Sequence, residues 1–241
     1  GNPAASDHVY DELLTGTASN GGPAICSKSL PVVVFSHGNT GMRFQSYFLM
    51  EYLASHGFIV LAPDHVGNTI FDNDEDRKPE LILRRPLDVA ASFDWLLDEP
   101  ELSSCITPED GYAVIGHSFG GYTALAASGA YLDTSVTESF CAEYGGWLCE
   151  HVAEIAETNG VGIHDNSDSR IWASVPMTPA ALETLQGGIA TVTVPTLVIA
   201  GAKDTLTSYD EVVAPIYSAL TQDSKYLLTI EGAGHYSFTN A

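Results

Sequence analysis

The chain has 241 residues, 31 acidic against 9 basic side chains, and a formal charge of −22. A surface this negative repels nucleic-acid phosphates and anionic bilayers, so neither is expected as a partner. No apolar run is long enough for a membrane span, and no basic start precedes an apolar stretch. No leader is therefore expected in the sequence as it stands, although Gly1-Asn2-Pro3 does not read as a native start and suits a chain whose leader has been removed.

The length suits one domain over residues 1–241. In chain order, the first thirty residues predict one strand near 9–14 and then a Gly/Asn-rich turn. Apolar, β-branched runs predict strands at 31–36, 58–62, 112–116, 171–175, 196–200 and 225–230. Helical patterns fall at 44–56, at 85–97 with Val89, Phe93, Leu96 and Leu97 on one face, from residue 118 onward, and at 208–220, where Pro215 predicts a kink or a late start. This alternation predicts an α/β fold, a doubly wound and mostly parallel sheet with helices on both faces. Residues 131–169 break it and predict a small inserted lid that contains a helix at 148–157.

Cys26, Cys105, Cys141 and Cys149 are even in number and lack metal-ligand spacing, which predicts two disulfides in an exported, secreted or periplasmic protein. If the strands at 31–36 and 112–116 are neighbours, Cys26 and Cys105 share the N-terminal edge of the sheet and Cys141–Cys149 closes the insertion. All three pairings remain open at this stage.

Gly116-His117-Ser118-Phe119-Gly120 is a G-x-S-x-G motif with an apolar strand before it and a small-residue helix after it. That context predicts a nucleophile elbow, a tight turn that lifts the Ser118 hydroxyl above the sheet. A serine hydroxyl needs a base. Of eight histidines, His235 is the best placed, in the Gly232-Ala233-Gly234 loop after the last strand, at the same sheet edge as Ser118. His65 is a weaker candidate, and His117 faces the wrong way in the turn. Asp204, after the strand at 196–200, is the expected orienting carboxylate, with Asp210 and Glu231 as rivals. Oxyanion donors are expected from the N–H groups of Phe119 and Asn39, with Thr40 as second choice to Asn39. Asp72-Asn73-Asp74-Glu75-Asp76 lacks the Gly and final Glu of a calcium loop and predicts a solvated acidic loop. Phe44, Tyr47, Tyr144, Trp147 and Trp172 are candidates for an acyl pocket or for plain packing.

The order Ser118, Asp204, His235 is that of the α/β-hydrolases. Val34-Phe35-Ser36-His37-Gly38, Leu53-Ala54-Ser55-His56-Gly57-Phe58-Ile59-Val60, Ala62-Pro63-Asp64-His65 and Gly116-His117-Ser118-Phe119-Gly120-Gly121 resemble the dienelactone hydrolase-like branch of that family. This branch includes platelet-activating-factor acetylhydrolases and bacterial polyester hydrolases. The resemblance covers about residues 31–130 and 171–235, and it implies an α/β-hydrolase fold and ester chemistry with no metal or organic cofactor. Three departures stand out. Ser118 replaces the cysteine of dienelactone hydrolases proper, which favours plain ester hydrolysis. Pro176-Met177-Thr178-Pro179 offers no carboxylate where acetylhydrolase relatives carry theirs, which leaves the role to Asp204. The chain also stops at Ala241, where the family continues into another helix. The expected activity is a serine carboxylic-ester hydrolase acting on small-molecule or polymeric esters. A peptidase or thioesterase with the same triad is the alternative, and a non-catalytic binding module a remoter one.

Overall fold

The computed structural model describes residues 7–10, 14–19, 21, 24, 26, 29–146 and 148–240. The strands are Asp7–Tyr10 (β1), Leu14–Ser19 (β2), Val32–Ser36 (β3), Ile59–Leu61 (β4), Tyr112–His117 (β5), Leu132–Asp133 (β6), Ile163–His164 (β7), Ile171–Met177 (β8), Thr196–Gly201 (β9) and Lys225–Ile230 (β10). β1 and β2 form an antiparallel hairpin. The single strand expected over 9–14 is instead two antiparallel strands, β1 and β2, and β2 runs on to Ser19.

Six strands make one sheet in the order β10-β9-β8-β5-β3-β4, every pair parallel. This is the α/β-hydrolase architecture. β3 shows why both faces must be covered, since all five of its residues are buried. Val32 and Val34 join Val89, Phe93 and Leu96 of Lys78–Asp98 (α2 below) on one face. Val33 and Phe35 meet Leu49, Met50 and Leu53 of Tyr47–Ser55 (α1), together with Phe238, on the other. β2 is fastened to α1 where the Thr17 amide and hydroxyl bond Glu51 Oε2 at 2.8 and 2.6 Å.

α2 begins seven residues before the expected start at 85, because Pro79 sits in its first turn, where a missing N–H costs nothing. Pro86 lies inside the helix and removes the donor for the Ile82 carbonyl four residues back. The Tyr122 hydroxyl, from Phe119–Ala127 (α3), donates to that carbonyl at 2.7 Å. A defect in one helix thus becomes a tie to the next.

Thr134–Tyr144 (α4) and Cys149–Asn159 (α5) occupy the stretch between α3 and β8, and α5 falls close to the expected helix. The expected disulfides Cys26–Cys105 and Cys141–Cys149 are both present. The first joins the segments that enter the neighbouring strands β3 and β5. Leu182–Leu185 (α6) follows β8. Beyond β9, a π-helical turn at Tyr209–Val213 hands over to Ala214–Ala219 (α7), so Pro215 gives the late start rather than a kink. Among the described residues no helix is long and apolar enough to cross a membrane.

Tyr122→Phe leaves the buried Ile82 carbonyl without its donor. It is expected to cost about 1–3 kcal/mol in urea unfolding. A Tyr122→Phe protein as stable as the parent would show that the bond contributes nothing net.

Candidate active site

Ser118 lies between β5 and α3 with φ 57° and ψ −116°, a conformation in which a side chain is strained. The turn is tight enough to dictate its neighbours. A Cβ on Gly116 would stand 2.0 Å from the Gly120 oxygen, and one on Gly120 1.9 Å from the Ser36 oxygen. Only glycine fits either place, which is the physical content of the motif.

The loops after β9 and β10 clasp one another, with the Lys203 N–H bonded to the Ala233 oxygen at 2.8 Å. They bring Asp204 and His235 to Ser118. Ser118 Oγ is 2.9 Å from His235 Nε2, and His235 Nδ1 is 2.7 Å from Asp204 Oδ2. Asp204 Oδ1 accepts the N–H groups of Leu206 and Thr207 at 2.8 and 2.9 Å. Its Oδ2 accepts the hydroxyls of Thr178 and Thr207. Burial alone would raise the Asp204 carboxyl, but these donors together with His235 hold it below the usual carboxylate range. The rivals Asp210 and Glu231 make no bond with His235.

Thr178 and Thr207 were not anticipated. Thr178 occupies the place after β8 where acetylhydrolase relatives carry a carboxylate, and its hydroxyl serves the Asp204 carboxylate instead. A lone threonine after a strand carries no sequence signal for this.

Asn39 lines the pocket beside Ser118, and its N–H has no acceptor among the described residues. Thr40 follows with φ 53°. Phe119, the residue after Ser118, opens α3 with its ring fully buried. Asn39 Oδ1 accepts from Asn68 Nδ2 and Lys78 Nζ at 2.8 and 2.7 Å.

Beneath these loops lies a web of buried polar groups. His117 Nε2 donates to the His235 oxygen at 2.8 Å, while its Nδ1 accepts from Gln45 Nε2 at 2.9 Å. Gln45 Oε1 in turn accepts the Gly38 N–H. His65 bonds Asp88 Oδ2 at 2.9 Å and the Ser36 hydroxyl at 2.8 Å. In this second Asp–His–Ser series Ser36 and His65 are fully buried, while Asp88 reaches the surface in part. Burial depresses His37 and His65 well below the usual histidine range, with the Arg85 charge adding to it, and lowers His117 to about 4.

A cavity of about 1080 Å³ opens over Ser118 and His235. Its apolar walls come from Met42, Ile70, Phe140, Leu182, Leu206 and Tyr236. Of the aromatic residues expected there, Phe44, Tyr47 and Trp172 do not line it. Phe44 packs in the interior, and Trp172 faces solvent from β8. Trp147 and the side chain of Tyr144 lie outside the described residues. The acidic run at 72–76 is exposed, and Asp72 accepts the backbone N–H groups of Gly67 and Thr69.

A parallel sheet, a strained serine at the end of its strand β5 and a histidine–aspartate pair on the loops after β9 and β10 together define an α/β-hydrolase. Comparison with known proteins agrees. The family model described as Chlorophyllase matches residues 24–144, and the one described as PET hydrolase-like matches residues 157–241. The chain belongs to the α/β-hydrolase family, on the branch that these two groups represent. It is 26% identical over 209 residues to a cutinase of Thermobifida alba, covering 85% of this chain and 52% of that protein. A cutinase of Thermobifida fusca is likewise 26% identical over 209 residues, covering 85% of this chain and 49% of its own length. A platelet-activating factor acetylhydrolase of Canis lupus familiaris is 27% identical over 156 residues, 47% of this chain and 35% of that protein. The chain spans about half the length of the cutinases it matches.

His37, His65 and His117 make stability depend on acid. Each is neutral in the fold but takes up a proton below pH ~6.5 once unfolded. Their contribution is therefore complete above that pH and is lost as pH falls towards the folded value, about 4 for His117. His117 alone represents roughly 3 kcal/mol across this window. The melting temperature is expected to drop steeply between pH 6.5 and 4, and less steeply for His117→Gln. A flat profile would contradict the neutral buried state.

Proposed function

We propose that the chain is a serine hydrolase of carboxylic esters that works through an acyl-enzyme. The observation that carries this reading is the unbroken series Ser118 Oγ, His235 Nε2, His235 Nδ1, Asp204 Oδ2, with contacts of 2.9 and 2.7 Å at the mouth of an apolar cavity. The 26% identity with cutinases and the PET hydrolase-like match support ester substrates, polyesters and lipid-like esters among them.

In this reading His235 takes the Ser118 proton as Oγ attacks the ester carbonyl. Asp204 holds the imidazole in the tautomer with its proton on Nδ1 and stabilises the cation that forms. The N–H groups of Asn39 and Phe119 receive the oxyanion. Collapse of the tetrahedral adduct passes the proton from His235 to the leaving alcohol, and water then repeats the sequence on the acyl group. No step calls for a metal or organic cofactor. Residues 1–241 act as one domain, with about residues 131–169 as a lid-like insertion. Phe140, Gly145 and Gly146 lend that insertion to the cavity wall. Two disulfides suit a secreted or periplasmic setting.

The test is hydrolysis of p-nitrophenyl esters from acetate to palmitate, with anilide and thioester substrates alongside. Medium-chain esters are expected to be cleaved best, because a cavity of this volume accepts a medium acyl group. Ser118→Ala is expected to lower kcat on the order of 10⁶-fold, and Asp204→Asn about 10⁴-fold. Cleavage of the anilides with esters untouched would replace this reading with a peptidase, and activity surviving in Ser118→Ala would remove Ser118 from its role.

A further inference from the structure

Among the described residues two basic side chains, Lys78 and Arg85, are withdrawn from solvent, and both lie under the segments that carry Asn39 and Phe119. Lys78 has the Glu75 carboxylate 3.5 Å away. Arg85 has no carboxylate within ion-pair distance among the described residues, although the chain holds 31 acidic side chains. Its guanidinium is instead bonded entirely to neutral acceptors. Nη2 donates to the His37 oxygen and, at 3.2 Å, to Ser36 Oγ. Nη1 donates to Asn68 Oδ1 at 2.7 Å, and Nε to Thr123 Oγ1 at 2.9 Å.

Three of these four acceptors lead to one of the two expected oxyanion donors, and Ser36 Oγ leads to His65. The His37 oxygen belongs to the loop that runs into Asn39. Asn68 Nδ2 passes the Nη1 bond on to the Asn39 side chain at 2.8 Å. Thr123 donates onward to the Phe119 oxygen at 3.0 Å, and the guanidinium carbon sits 4.5 Å from the centre of the Phe119 ring. One side chain therefore grips both loops at once. The ionic groups around it are Asp88, whose charge favours the cation from beyond contact, Tyr122, the neutral rings of His37 and His65, and Lys78. Burial pulls Arg85 down only to about 9, so it stays charged at neutral pH.

A fork of donors needed for packing alone gains nothing from an unpaired charge, and a nearby carboxylate would relieve the cost of burying it. Left unpaired in a low-dielectric interior, the charge acts on whatever negative charge appears above it. We propose that Arg85 is a positioning residue for the oxyanion hole, one that fixes the Asn39 and Phe119 loops in register and adds a standing positive field to their N–H groups. The proposal rests on the ester-hydrolase reading above. Because the oxyanion exists only in the tetrahedral adduct, the effect belongs to kcat and leaves substrate binding nearly untouched.

The test compares the parent with Arg85→Lys, Arg85→Gln and Asn68→Asp, all on p-nitrophenyl butyrate, with inhibition by an alkylboronic acid that forms an anionic tetrahedral adduct. Arg85→Lys keeps a charge but loses the fork, and is expected to lower kcat about 10- to 100-fold with KM within about threefold. Boronate affinity should fall in parallel with kcat/KM. Arg85→Gln should lose more. Should either Arg85 variant fail to fold, Asn68→Asp decides. It keeps the side-chain volume and hands Arg85 a carboxylate partner, while it gives up the Nδ2 donor that Asn39 Oδ1 accepts and leaves Lys78 on that oxygen. It is expected to melt at or above the parent temperature and still lose about tenfold in kcat and in boronate affinity. A merely structural arginine would leave Asn68→Asp fully active, and that result overturns the proposal. So does a loss confined to KM in a folded Arg85 variant. If the parent shows no Ser118-dependent hydrolysis, the ester-hydrolase reading fails and takes this one with it. Normal parent turnover with indifferent Arg85 and Asn68 variants sinks this inference alone.

Discussion

The constraint on which the structure turns is the closeness of α3 to β3. Gly120 stands so near the Ser36 carbonyl that no side chain fits between them. That closeness lets a helix begin one residue after a strand ends, and it forces Ser118 into a backbone conformation that few residues tolerate. It also brings the loop after β3 within reach of the first turn of α3. Every functional group assigned above hangs from this junction, either directly or through the loops of the neighbouring strands.

Strain at a turn persists only when its surroundings over-determine it. Here the surroundings are polar rather than oily. Gln45 bridges the Gly38 N–H to His117, His117 bridges onward to the His235 carbonyl, and Arg85 joins residue 37 to residue 123. Such a web is demanding, because each buried donor and acceptor must find its partner. In return it fixes three separate loops relative to one another, which apolar packing does less sharply because it is not directional.

Much of this was legible in the sequence. All six sheet strands, Ser118, Asp204 and His235 could be placed because parallel strands deliver their trailing loops to one edge, so position along the chain implies position in space. The two disulfides were the pairing favoured on the condition that β3 and β5 are neighbours, and the structure pairs those strands. What escaped depends on contacts between distant segments. Thr178 and Thr207 look like ordinary loop residues until the Asp204 carboxylate lies between them. Arg85 read as the opening of a helix that in fact starts at Lys78, and nothing local betrays that it is buried. Large rings are needed wherever layers pack, so the choice between pocket and packing stayed open for the aromatic candidates; the cavity wall takes its rings from Phe140 and Tyr236 beside Met42, Leu182 and Leu206.

The proline in the middle of α2 has one more implication. Pro86 frees a carbonyl that Tyr122 then occupies, so the two residues satisfy one another across a helix interface. Without Pro86 the helix regains its own donor to that carbonyl, whose second lone pair still takes the Tyr122 hydroxyl. Without the hydroxyl, Pro86 becomes an uncorrected flaw. The hydroxyl of Tyr122 therefore matters most while Pro86 is present, a dependence between two positions that thirty-five residues separate in the chain.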